Sequence, residues 1–135
     1  MKIEINNKTN YRIDLRLVEK VVKVFARVYK INKNKEISLA FVSDAEIKKL
    51  NKSYRGLNKV TDILSFSGDG DFFGEIIIDY DQIKRQAADF KNGAEKELIF
   101  ILTHGLLHLI GYDDKTDKAR ERMIKMGEKF IKNYL

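Results

Sequence analysis

At 135 residues, 44% of them hydrophobic, the chain is long enough for one compact domain over residues 1–135 and too apolar to stay disordered. It has no cysteine, which excludes disulfides, thiolate zinc sites and cysteine nucleophiles and fits a reducing cytoplasm. The net charge of +6 is uneven: residues 1–60 hold 15 Lys or Arg against 6 Asp or Glu, and residues 61–135 hold 11 against 14.

Taken in chain order, the N-terminus carries no apolar run of the secretory kind. Lys2 to Asn6 reads as a short strand. From about Arg12 to Tyr29, apolar residues at Leu17, Val18, Val21, Val22, Phe25 and Val28 recur at helical spacing. Glu36 to Val42 (EISLAFV) alternates like a strand. Ser43 followed by Glu46 then has the capping-box spacing for a helix reaching roughly Ser53. Asp62 to Phe66 is a short apolar strand, and the glycine- and aspartate-rich residues 67–74 (SGDGDFFG) predict a loop. Three consecutive isoleucines within Glu75 to Asp79 make another strand, and Tyr80 to Phe90 a helix. Asn92 with Glu95 marks the start of a helix that is apolar nearly all round as far as Leu109, so it should be the buried central one. Its apolar stretch, Leu98 to Ile110, is too short to cross a bilayer, and a soluble protein is expected. The last helix, about Thr116 to Tyr134, gathers Met123, Phe130, Ile131 and Tyr134 on one face. The sum is an α+β domain: a small mixed sheet of about four strands covered by about five helices.

The residues that point to chemistry lie between positions 104 and 114. His104 and His108, four apart on a helix, project from one face one turn apart, the spacing at which a helix offers two imidazoles to one metal ion. Gly111 can take the left-handed conformation that stops the helix and returns the chain. Asp114 can then face the same ion, with Asp113 beside it as supporting partner or helix cap; either of the pair could be the third ligand. These are the only two histidines in the chain, and two imidazoles on a buried helix without partners would be costly. Two imidazoles and a carboxylate suit one divalent ion, zinc first, and leave a coordination position open. The string H-x-x-x-H-x-x-G-x-x-D resembles the zinc signature of metzincin proteases. Their general-base glutamate, however, is replaced by Gly105, which argues against peptide hydrolysis.

HGLLHLIGYDD, from His104 to Asp114, is similar to the signature H-G-x-L-H-L-x-G-Y-D-H of the YbeY family of bacterial rRNA maturation endoribonucleases. Leu50 to Phe66, LNKSYRGLNKVTDILSF, resembles that family's second block, a Tyr-Arg pair followed by T-D-(V/I)-L-S-F. The resemblance implies one α+β domain, a bound metal (usually zinc), cleavage of single-stranded RNA, and a role in 16S rRNA 3′-end maturation and ribosome quality control. By position it makes His104, His108 and Asp114 the metal ligands, and Arg55 the family's functional arginine. A guanidinium grips phosphate bidentately and stays charged, so Arg55 would stabilise charge developing on the phosphoryl oxygens. Asp114 stands where the family has its third histidine, and Val60 where it has a proline before T-D. Thr61, Asp62 and Ser65 could hydrogen-bond near the site, although strand-end positions of this kind are more often structural.

The expectation is therefore a cytoplasmic, metal-dependent endoribonuclease whose basic N-terminal half binds rRNA or the ribosome, with no membrane and no DNA partner. Two rivals are a metal-dependent hydrolase of another substrate and a non-catalytic ribosome-binding factor with a structural metal.

Overall fold

The computed structural model describes residues 1–89 and 93–135. In chain order they form β1 (Lys2–Asn7), α1 (Leu15–Val28), β2 (Glu36–Val42), α2 (Asp44–Arg55), β3 (Ile63–Ser67), β4 (Phe72–Asp79), α3 (Tyr80–Asp89), α4 (Ala94–Leu109) and α5 (Asp117–Tyr134). The four strands make one mixed sheet in the order β1-β2-β4-β3. β1 and β4 run parallel to β2, and β3 runs antiparallel to β4 at the edge. This is the expected α+β architecture.

Capping side chains set several boundaries. Asp14 accepts the Leu17 amide at 3.0 Å, so α1 begins at Leu15 and not near Arg12. Ser43 caps α2 by accepting the Glu46 amide at 3.2 Å. Only that half of the predicted capping box forms, because the Glu46 carboxylate is drawn 3.3 Å from the Lys8 ammonium instead. Thr116 caps α5 through the Ala119 amide at 3.0 Å. The helix start predicted at Asn92, and the end of the preceding helix at Phe90, lie outside the described residues; Gly93 is the cap residue of α4.

The largest departure is β4, which begins at Phe72 inside the predicted loop. Gly74 pairs with Ser67 of β3 and with Ile37 of β2, so ladders on both sides extend the strand where local composition reads as loop. The β2–β4 register passes from Glu36↔Phe72 to Ile37↔Gly74, which leaves Phe73 as a bulged residue. A Cβ at Gly74 would lie 2.7 Å from the Phe66 carbonyl oxygen and 2.8 Å from Leu109 Cδ2. Glycine is what lets the end of α4 rest on the β3–β4 ribbon.

The three isoleucines of β4 are explained by cover on both faces. Ile76 and Ile78, with Ile37, Leu39 and Phe41 of β2 and Ile63 of β3, belong to the main core under α1, α4 and α5. Ile77 and Leu64 face the other way and join Val42 and Ile47 in a smaller cluster under α2. Between the sheet and its neighbouring helices lies α4, with Leu98, Ile101, Leu102, Leu106 and Leu107 buried.

Candidate metal centre

His104 and His108 lie on the last turns of α4, partly buried, with ring centroids 4.8 Å apart. The helix stops as the sequence predicts. Gly111 takes φ +105°, and the Tyr112 amide donates back to the Leu107 carbonyl at 3.2 Å. This return brings Asp114 Oδ2 to 3.6 Å from His104 Nε2 and 3.6 Å from His108 Nε2. All three ligand atoms fall within 4.8 Å of one another.

A separation of 3.6 Å is too long for a hydrogen bond. It is close to the edge of a coordination tetrahedron, roughly 3.3–3.6 Å when each ligand is about 2.0–2.2 Å from the ion. The three groups converge without bonding one another, which is the arrangement a shared cation satisfies. His108 Nδ1 lies 3.0 Å from the Tyr112 carbonyl oxygen. As a hydrogen bond this contact places the proton on Nδ1 and leaves the Nε2 lone pair facing the cluster. Burial first, and then the neighbouring His108, push the His104 imidazolium below the ordinary histidine value, while Asp114 opposes them. A neutral imidazole is the form that ligates metal.

Asp113 takes a different part. Its Oδ1 accepts the Lys115 amide at 3.1 Å, an Asx-type turn leading into α5. Gly105, read in the sequence only as the absence of a base, has a packing reason. A Cβ there would lie 2.5 Å from Ile63 Cδ1 and 3.0 Å from Ser65 Oγ, so α4 sits directly on β3. Ser65 Oγ donates to the Gly105 carbonyl at 3.3 Å across the same contact. A glutamate at this position would point into the sheet and not towards the histidines.

The cluster opens on a groove of about 720 Å³ whose lining includes Tyr54, Arg55, Phe66, His104, Asp114 and Arg120. Arg55 is the last residue of α2, exposed, and among the described residues it has no carboxylate partner. Thr61, Asp62 and Ser65 also line the groove; the Asp62 carboxylate accepts from Gln86 at 3.3 Å. Val60 is half-buried against the cluster under α2. Two lining residues escaped the sequence reading as functional candidates. Arg120, ion-paired with Asp117, lines the groove one helical turn before the buried Met123, and Tyr54 is the most exposed large hydrophobic side chain among the described residues.

A second group of carboxylates, Asp44, Asp79 and Asp81, gathers where β4 ends and α2 and α3 begin. It belongs to the helix caps. Asp79 accepts the Asp81 amide at 3.1 Å, Asp44 is held in a bidentate pair with Arg85 at 2.7 and 3.1 Å, and Asp81 accepts from the Tyr11 hydroxyl. Arg85 keeps the Asp44 carboxyl down at about 2, whereas burial and the adjacent Asp44 raise Asp79 to about 7.

Comparison with known proteins bears on the family and the fold. The family description "Endoribonuclease YbeY" matches residues 2–135. A protein of that name from Thermosipho melanesiensis is 37% identical over 129 residues, covering 94% of this chain and 92% of the relative. Another from Phytoplasma australiense is 34% identical over 140 residues, covering 98% and 94%. The solution structure of TM1509 from Thermotoga maritima superposes with a TM-score of 0.67 at 31% identity, covering 96% of this chain and 87% of that one. With sequence and fold matched over nearly its whole length, the chain belongs to the Endoribonuclease YbeY family.

Proposed function

We propose that the chain is a metal-dependent endoribonuclease of the cytoplasm that cleaves single-stranded rRNA, with 16S rRNA 3′-end maturation and ribosome quality control as its setting. Membership of the family makes it an RNA-cleaving hydrolase. The observation that carries the finer reading is the convergence of three potential ligand atoms in a groove that also holds Arg55, which has no carboxylate partner among the described residues.

In this reading His104, His108 and Asp114 hold one divalent ion, zinc by preference for two imidazoles and a carboxylate. Such an ion would supply Lewis acidity towards a phosphoryl oxygen and activate water. The protein's own groups do the rest. The Tyr112 carbonyl orients His108 through Nδ1, burial keeps His104 neutral, and the Gly111 turn delivers the carboxylate. Arg55 grips the scissile phosphate and opposes the charge that builds on it. Asp114 in place of a third imidazole lowers the positive charge of the centre by one; Arg120, also on the groove, is ion-paired with Asp117. The basic N-terminal half supports the reading through Lys52, Arg55 and Lys59, exposed on and just after the end of α2, which suit the RNA backbone.

Cleavage of a single-stranded rRNA fragment should be lost in His108→Ala and fall by about 100-fold or more in Arg55→Ala, on the scale of removing one oxyanion-stabilising donor. Activity surviving in both variants would sink the assignment.

A further inference from the structure

Tyr54 is 68% exposed, although on the same helix α2 Ile47 is buried and Leu50 packs against the cluster beneath it. Its ring rests against Phe66 of β3, with centroids 5.0 Å apart and planes tilted by 59°. Phe66 is anchored, because it packs against the cluster under α2 that contains Ile47, Leu64 and Ile77. Tyr54 lies outside that cluster, and its hydroxyl makes no hydrogen bond among the described residues. One side of the ring is thus supported and the other is open to the groove. The next residue in the chain is Arg55, and Gly56 ends the helix at φ +69°.

We infer that Tyr54, backed by Phe66, is a stacking platform for one nucleobase of the RNA strand whose phosphate Arg55 holds. The inference rests on the ribonuclease reading above and deepens it by naming the part of the substrate that this wall of the groove takes. An exposed aromatic ring and, on the next residue, a guanidinium with no carboxylate partner among the described residues suit the two parts of a nucleotide, a flat base and a phosphate. Proteins that bind single strands combine these elements, a cationic groove that tracks the backbone and aromatic rings on which bases stack. A base is free to stack in this way only when it is not already stacked and paired in a duplex, so the platform selects unpaired RNA. Adjacent lysines support the choice of a polyanion, since Lys48, Lys49, Lys52 and Lys59 are exposed along α2 and its following loop.

The test is binding of a short, uncleavable 2′-O-methyl strand rich in adenine, with 2-aminopurine placed at successive positions, to the metal-loaded wild type, Tyr54→Ala and Tyr54→Phe. Truncating the ring should weaken binding by about 5- to 150-fold, the range for loss of one stacked base, while Tyr54→Phe stays near wild type. At one position 2-aminopurine should be quenched by wild type and Tyr54→Phe but not by Tyr54→Ala. A strand of the same length made of abasic sites should bind wild type and Tyr54→Ala equally. If wild type binds the normal strand but Tyr54→Ala binds it as tightly, or if the loss persists on the abasic strand, the platform is refuted and the ribonuclease reading stands. If wild type binds neither strand, both are overturned.

Discussion

Asp114→Asn removes the anionic oxygen from the cluster and leaves its shape nearly unchanged. Asp114 is partly exposed and lies 3.6 Å from each imidazole, beyond hydrogen bonding, so without metal the variant should be about as stable as wild type. With metal the two should part. Changes to the residues around a metal site typically cost 10- to 100-fold in affinity, and a direct ligand belongs at or above the upper end, about 100-fold. At free zinc 100 times the wild-type dissociation constant, binding stabilises wild type by about 2.7 kcal/mol, while the variant, now near its own dissociation constant, retains about 0.4 kcal/mol. A chain of 135 residues has an unfolding entropy of about 0.28 kcal/mol/K, so the difference corresponds to about 8 °C in the zinc-induced rise of Tm. Differential scanning fluorimetry with and without zinc reads it directly. Asp113→Asn is the control: its amide oxygen can still accept from Lys115, and its zinc-induced rise should match wild type. If Asp113→Asn loses the zinc response and Asp114→Asn keeps it, the ligand assignment is wrong.

Two further predictions concern the frame that holds the site. Gly74→Ala should lower stability by about 1–3 kcal/mol in metal-free urea unfolding, because the new Cβ meets a backbone carbonyl at 2.7 Å and cannot be relieved by a side-chain rotation; wild-type stability would contradict the packing of α4 on the β3–β4 ribbon. Asp79→Asn keeps the cap of α3 but removes a buried carboxylate whose Oδ2 has no donor among the described residues. Because burial and Asp44 raise Asp79 to about 7, above the ordinary carboxylate value, the folded state binds more protons than the unfolded chain between about pH 4 and 7. The contribution of this residue is therefore fully present below pH 4 and is lost as pH rises to 7. Asp79→Asn should match wild type near pH 4 and exceed it at pH 8 by up to about 4 kcal/mol, since each of about three pKa units corresponds to about 1.4 kcal/mol; a variant less stable at pH 8 would refute the sign.

Much of this was legible from periodicity and spacing. The helices α1, α4 and α5 are long and strongly patterned, and a histidine pair four apart followed by a glycine and an acidic pair names its own geometry. What escaped depended on contacts distant in sequence. The start of β4 hides in a glycine-rich stretch because pairing with β2 and β3, not local propensity, makes it a strand. Gly105 looks like a missing catalytic group until β3 is seen against it. Arg120 carries no local mark of function, and Tyr54 none beyond its place in the Tyr-Arg pair; the packing of α5 and α2 about the histidines brings both to one groove.

The central claim is that RNA cleavage depends on one ion held by His104, His108 and Asp114. Its most direct test is to strip the protein with a chelator, confirm by circular dichroism that it stays folded, and titrate zinc while following cleavage of single-stranded rRNA. Activity should be absent at the start, rise in proportion to zinc, and level off at one equivalent, with no recovery in His104→Ala. Full cleavage by the stripped protein, or equal recovery in His104→Ala, would contradict the account.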